Sequence, residues 1–340
     1  MVELGYALSS EEHAPNTLVR NAQYAEEAGF GYALISDHFH PWVSKQGENP
    51  FVWSVIGGIS QATRSLRLGT GVTCPTIRTH PAIIAQAAAT SAMMMPGRFF
   101  LGVGTGEALN EHITGARFPE TEVRLEMLEE AVAVMRLLWQ GGNQSWRGKH
   151  YTVENAQLFT VPKNGVEVMV AAAGPKAATV AGRIGDSFCN TAPDPEPIQV
   201  FEANGGAGKP KYGQVTVCWA PDEAQARKTA LEIWPNGGLP GELGQELPTV
   251  AHFEQAAQLV TEEKIAEEVV CGPDPEKHLA KLRAYEEAGY THVYVHQVGP
   301  DQEGMMRFYK EEIMPNFGGA SGSAPIPSQG GAATTNPAGK

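Results

Sequence analysis

Eight short apolar runs recur along the chain, and the stretches between them are amphipathic or alanine-rich. This alternation constrains the fold more than any other feature. The runs are ELGYALS (3–9), YALISDH (32–38), LRLGTGV (66–72), FFLGVGT (99–105), EVMVAAAG (167–174), SFCNTA (187–192), QVTVCWA (214–220) and HVYVHQV (292–298). Their length and β-rich make-up suit strands buried on both faces. The segments between them read as helices. In ETEVRLEMLEEAVAVMRLLW (120–139), residues Leu125, Leu128, Val132, Met135 and Trp139 step by three and four and form one apolar stripe. PAIIAQAAATSAMM (81–94) is nearly free of polar residues, which predicts deep burial. AEEAGFGYALIS (25–36) and YEEAGYTHVYVH (285–296) share one junction: helix end, glycine, aromatic, strand. Gly29 and Gly289 would then stand at C′, where positive φ ends a helix. Helix feeding strand, eight times over, predicts a (β/α)8 TIM barrel. A doubly wound sheet is the alternative, and no GxGxxG follows the first strand to support it.

Two segments depart from the alternation. Residues 140–166 hold a candidate hairpin, WRGKHYTVENAQLFTV. Residues 235–260 are rich in glycine and proline around NGGLPGELGQELP, which suits a lid or pocket wall. The expected organisation is one barrel domain over 1–318 with these two insertions. A low-complexity tail, 319–340, is predicted to be disordered.

A formal charge of −13 argues against nucleic acid and against anionic membrane surfaces, both of which are bound through clustered lysine and arginine. No apolar run approaches a membrane span, and MVELGYALSS has neither a basic n-region nor an h-region. Cys74, Cys189, Cys218 and Cys271 lie in or beside apolar segments without metal-ligand spacing. They read as buried free thiols of a cytoplasmic protein, and no metal site is expected. These exclusions leave a small-molecule substrate.

In such a barrel, chemistry gathers at the C-terminal ends of the strands. The first strand is followed by Glu11, Glu12 and His13, and the second by Asp37, His38 and Trp42. The third gives GTGVTCP, the fourth GTGEALNE, the fifth AAAGPKA, and the sixth ends in Thr191. Taken singly, His38 reads as a hydrogen-bonded structural histidine, Asp37 as a turn cap and Trp42 as packing. Their joint placement carries the functional reading. Gly104 and Gly106 would let the backbone approach a flat ring closely. Gly174 and Pro175 would open a helix whose free amides, with Lys176 beside them, suit a phosphate.

SDHFHPW, GTGVTCPTIRTHPAIIAQAAAT, GRFFLGVGTGEALNE and AAAGPKAATVAGRIGD resemble the glucose-6-phosphate dehydrogenases that use the deazaflavin coenzyme F420. That group belongs to the luciferase-like barrels. The resemblance runs from about residue 3 to about residue 316. It implies that Asp37, Thr105, Gly106, Asn110, Ala173, Gly174, Lys176 and Ala177 hold F420. It places Gly71 and Val72 at a non-proline cis peptide behind the ring, and Cys74 where the group usually has a threonine near the ring. The implied reaction is hydride transfer between an alcohol carbon and C5 of the deazaflavin. His38 would take the hydroxyl proton, with an ordinary pKa near ~6.5. Glu107, facing His38 across the ring, would protonate the deazaflavin nitrogen. Trp42 would position substrate and Glu11 would add support beside it. Dimers are common in the superfamily, which implies a homodimer.

The pattern breaks where the group grips phosphate with two lysines and an arginine. Those positions fall on Asp194, near Gly244, and on Glu268. With Thr191 they make up the expected substrate end, and the charge reversal predicts a substrate without phosphate. Glucose 6-phosphate oxidation proper, an FMN-dependent monooxygenase and a non-enzymatic deazaflavin carrier are the competing readings.

Overall fold

The eight apolar runs each form a strand, and the strands close on themselves. The computed structural model describes residues 2–317. The strands are β1 (Glu3–Leu8), β2 (Tyr32–Ile35), β3 (Arg67–Thr70), β4 (Phe99–Val103), β5 (Gln144–Arg147), β6 (Thr152–Ala156), β7 (Val168–Ala171), β8 (Ser187–Asn190), β9 (Lys211–Cys218), β10 (Val270–Cys271) and β11 (His292–Gln297). Around the barrel the order is β1-β2-β3-β4-β7-β8-β9-β11, all parallel, with β11 returning to β1 through Glu3↔His292. The expected (β/α)8 barrel is therefore present. β8 pairs with the first residues of β9, and β10 pairs with its last two, Val217 and Cys218. Two residues are too short a run to read as a strand from sequence.

Every residue of β2, β4 and β8 is buried, which explains why these runs lack polar alternation. Inside the barrel Tyr32, Leu34, Phe100, Met169, Tyr212 and Tyr294 pack on one another. They plug it below the strand ends and leave the upper mouth as the one open end for a site. Outside, the helices bury their stripes on the strands. Leu125, Leu128, Val132, Met135 and Trp139 are all buried, as the spacing requires. Gly29 and Gly289 end their helices at φ 100° and 102°, a region costly for any residue with a Cβ.

Helix Pro81–Met94 departs from expectation. Ile84, Ala85, Ala88 and Ala89 face the barrel, but Ile83, Met93 and Met94 are 58%, 48% and 40% exposed. Its second apolar face has no cover within this chain. With Phe51, 67% exposed, and Trp53 it borders a groove of about 350 Å³. Among the described residues no helix is long and apolar enough to cross a membrane.

Both insertions take on structure. β5 and β6 form the antiparallel hairpin. Glu130 holds it through the Trp146 Nε1 and the Tyr151 amide, at 3.0 and 2.9 Å. Residues 235–260 fold into short helical turns at Pro235–Gly238, Leu243–Glu246 and Val250–Ala257. Phe253 anchors them, fully buried against Val43 and Leu109. The expected tail at 319–340 lies outside the described residues.

Candidate active site

A cavity of about 570 Å³ opens at the C-terminal ends of the strands, and its lining combines residues from all eight of them or the turns that follow. Its chemical centre is His38, just past β2. The His38 Nδ1 lies 2.6 Å from Glu11 Oε1, and Nε2 lies 3.8 Å from Glu107 Oε2. The Glu11 contact is short yet off the N–H direction, since that nitrogen has no straight hydrogen bond. It is an ion-pair contact more than a directional one. The other oxygen of Glu11 accepts from the Ser9 and Ser36 hydroxyls at 2.9 and 2.8 Å.

Glu11 is 2% exposed and the His38 side chain 12%. Burial works against charge on both, but each holds the other ionised. Attraction and hydrogen bonding to His38, with the Ser36 bond, overcome burial and hold Glu11 down to about 2. Burial of His38 is likewise outweighed by the charge and contact of Glu11, and its pKa is pushed up to about 9. His38 is thus an imidazolium at neutral pH, where an ordinary histidine was expected. Glu11, expected as support beside the substrate, has both oxygens committed and acts through His38.

Trp42 meets the His38 ring edge-on, with centroids 5.0 Å apart. Behind it Phe253 makes a second edge contact at 5.1 Å. The 235–260 insertion is therefore the wall that buttresses Trp42. The 3.8 Å between His38 and Glu107 leaves no room for a ring between them, so they do not face one another across a coenzyme. They act from one edge of the cavity.

Three residues expected to hold coenzyme serve the scaffold instead. Asp37 does not line the cavity; its carboxylate accepts from Thr73 Oγ1 at 2.8 Å and pairs with Arg78 at 3.1 Å. Asn110 is fully buried, and its Oδ1 accepts from the Phe39 and His40 amides, both at 2.9 Å. Cys74 is 4% exposed with its sulfur 2.9 Å from Thr76 Oγ1, beneath the turn and outside the cavity lining. Gly106 has φ 75°, and a Cβ there would lie 2.7 Å from Cys74 Sγ and from Glu111 Cγ. The turn needs glycine because protein packs beneath it, not only for a ligand's approach.

The other expected coenzyme residues do meet at the cavity. Gly71, Val72, Gly104, Thr105, Ala171 and Ala173 line it, with Gly106 and Ala177. This wall carries no side chain larger than valine and forms a slot of small residues. The Gly71–Val72 peptide is cis. Gly174 begins helix Pro175–Ile184 without a side-chain cap, so the first amides of that helix stay free. Lys176 stands outside the lining, 72% exposed, and pairs with Glu122.

At the expected substrate end, Thr191 and Glu268 line the cavity. Asp194 does not. It caps helix Pro195–Phe201, accepting from the Glu196 amide at 2.9 Å. A short polar side chain before Pro-Glu is a capping signal, and capping claimed this residue. Glu268 is half exposed and pairs with Lys264 at 3.2 Å, which offsets part of its charge. Gln245 lines the cavity beside the position aligned with the second lysine.

Sequence reasoning passed over several lining residues. Gln214 and Thr216 share one face of β9, and Tyr294 and His296 one face of β11. His296 lies 3.3 Å from Glu12, so consecutive carboxylates, Glu11 and Glu12, each hold a buried histidine. The period of two in HVYVHQV carried the signal, since Tyr294 and His296 share parity. Trp234, with its ring 4.4 Å from His296, completes this side. Among the described residues lining the cavity there is no lysine or arginine, and the carboxylates are Glu11, Glu107 and Glu268.

Comparison with known proteins agrees with this geometry. Residues 2–292 match the family described as luciferase-like monooxygenase. An F420-dependent glucose-6-phosphate dehydrogenase of Mycobacterium tuberculosis is 36% identical over 330 residues, covering 93% of this chain and 98% of the relative. The corresponding protein of Mycolicibacterium smegmatis is 35% identical over the same shares. An F420-dependent secondary alcohol dehydrogenase, solved with an F420-acetone adduct, superposes with a TM-score of 0.85 at 30% identity, covering 92% of this chain and 98% of that one. The chain belongs to the luciferase-like family and stands within it beside the F420-dependent dehydrogenases.

Proposed function

We propose that this chain is a coenzyme F420-dependent oxidoreductase that acts on an alcohol, or on the matching carbonyl, without a phosphate group. The observation that carries the reading is His38, held by Glu11 and set beside Glu107 at the edge of a slot of small residues. The slot fits a planar ring system, and the uncapped amides at Lys176 and Ala177 fit an anionic tail. Gly71, Val72, Thr105, Gly106, Ala173 and Ala177 would hold the ring and the start of that tail. Bound F420 supplies the two-electron hydride acceptor or donor.

The protein's own residues move the protons. His38 Nε2 faces the cavity side and exchanges a proton with the substrate oxygen, while Glu11 on Nδ1 keeps the imidazole oriented and charged. Glu107 supplies the proton taken up at the coenzyme nitrogen. Trp42 presses on His38 and fixes where the substrate carbon lies. A charged His38 at neutral pH has its proton ready for carbonyl reduction. Oxidation requires the neutral ring, so it gains as pH rises towards about 9.

Absence of phosphate follows from the lining. Two unit charges ~4 Å apart interact by about 4 kcal/mol at an effective dielectric near 20. A phosphate dianion here would meet Glu268 and Glu107 and no lining cation. The relative solved with an F420-acetone adduct supports a small neutral substrate. Oxidation of glucose 6-phosphate itself is the second reading, favoured by 36% identity to an F420-dependent glucose-6-phosphate dehydrogenase.

A cytoplasmic homodimer completes the proposal, with the uncovered face around Phe51, Ile83 and Met94 as its interface. A monomer by light scattering would remove that part; export of the full-length chain from its cell would remove the cytoplasmic placement. Titration with F420 and with FMN tests the whole. F420 is expected to bind and FMN to bind weakly or not at all, whereas tight FMN binding without F420 binding contradicts the reading.

A further inference from the structure

Three strand ends carry a charged network that the proton chemistry does not use. Arg78 follows β3, Asp37 follows β2 and Glu111 follows β4. Arg78 Nη2 donates to the Asp37 backbone carbonyl at 2.9 Å and to its carboxylate at 3.1 Å. Glu111 accepts the Arg78 backbone N–H at 2.9 Å, and its other oxygen lies 3.5 Å from the guanidinium Nε. The side chains of Arg78, Asp37 and Glu111 are 11%, 5% and 1% exposed. Asp37 immediately precedes His38. Glu111 closes the turn that carries Glu107, next to Asn110, which itself grips the Phe39 and His40 amides.

We propose that Arg78 is a positioning residue, whose guanidinium locks the turn bearing His38 against the turn bearing Glu107. The inference rests on the reading of His38 as the proton carrier. Guanidinium geometry suits the task, since a rigid planar fork can hold a backbone carbonyl, its own residue's carboxylate and a second carboxylate at once. A lysine ammonium has the charge but not the fork. One cation serves two buried carboxylates, and burial, opposed by Arg78, pushes Glu111 up to about 7. The network thus has no spare cation to replace Arg78.

Substitution of Arg78→Lys keeps the charge and removes the fork, so it separates position from electrostatics. The full chain with ¹⁵N-labelled histidine would be titrated by NMR, with F420 affinity followed by fluorescence. The expected result is a fall of the His38 midpoint from about 9 towards ~6.5 as contact with Glu11 loosens. F420 affinity should stay within about threefold while turnover drops about 100-fold, as for a misplacement near 1 Å. An unchanged His38 midpoint in Arg78→Lys overturns the proposal. In Arg78→Met, loss of the cation alone would raise the midpoint, so a rise there also counts against it. Where Arg78→Met does not fold, Arg78→Lys decides. The His38 titration reads without coenzyme, so it stands apart from any failure of F420 to bind.

Discussion

At the scale of single residues, the Glu11–His38 pair sets both the chemistry and a pH response. The folded pKa of His38, about 9, lies above its ordinary 6.5, so its stabilisation is complete below 6.5 and is lost as pH rises through 9. Glu11 is held at about 2 against 4.5, so its share is complete above 4.5 and is lost as pH falls towards 2. The pair is at full strength between 4.5 and 6.5. In kcat/KM profiles, oxidation should climb to a plateau above about 9 and reduction should fall over the same range. Glu11→Gln removes the charge that holds the imidazolium, and both limbs should move down towards ~6.5. Limbs that stay near 9 in that variant would show that Glu11 does not govern His38. The presence of His38, Trp42 and Glu107 at one mouth was legible in the motifs. Their protonation was not, because it depends on Glu11 arriving from a different strand.

At the scale of elements, the 235–260 insertion shows where sequence reading stops. Its glycines and prolines announced a wall but not which side chain would matter. Phe253 is that residue, because it alone from the insertion fills the gap between Val43, Leu109 and the back of Trp42. Phe253→Ala should cost about 3–5 kcal/mol of stability, the usual range for emptying a buried aromatic site. It should raise KM for the alcohol more than the F420 dissociation constant. Equal losses in both, measured by turnover and fluorescence titration, would detach the insertion from the substrate side. The cap at Asp194 teaches a related lesson. Alignment of a charge predicts which residue type stands at a position, but hydrogen bonding to the nearby Glu196 amide decides where its oxygen points. Asp37 and Asn110 went the same way, recognised as important yet spent on holding backbone.

At the scale of the whole molecule, the strands were legible because burial on both faces strips them of polar residues, and a barrel is the closed form of that pattern. The second apolar face of helix Pro81–Met94 read as deep burial because sequence cannot tell cover within the chain from cover by a partner. The cavity's charge is likewise a property of the assembled mouth, since Glu11, Glu107 and Glu268 come from places far apart in the chain. The most direct measurement follows F420 absorbance with purified protein and paired substrates, each alcohol supplied with and without a phosphate group. The account predicts bleaching with at least one unphosphorylated alcohol, loss of that bleaching in His38→Ala, and little or none with glucose 6-phosphate. Robust bleaching with glucose 6-phosphate, or turnover that survives in His38→Ala, would contradict it.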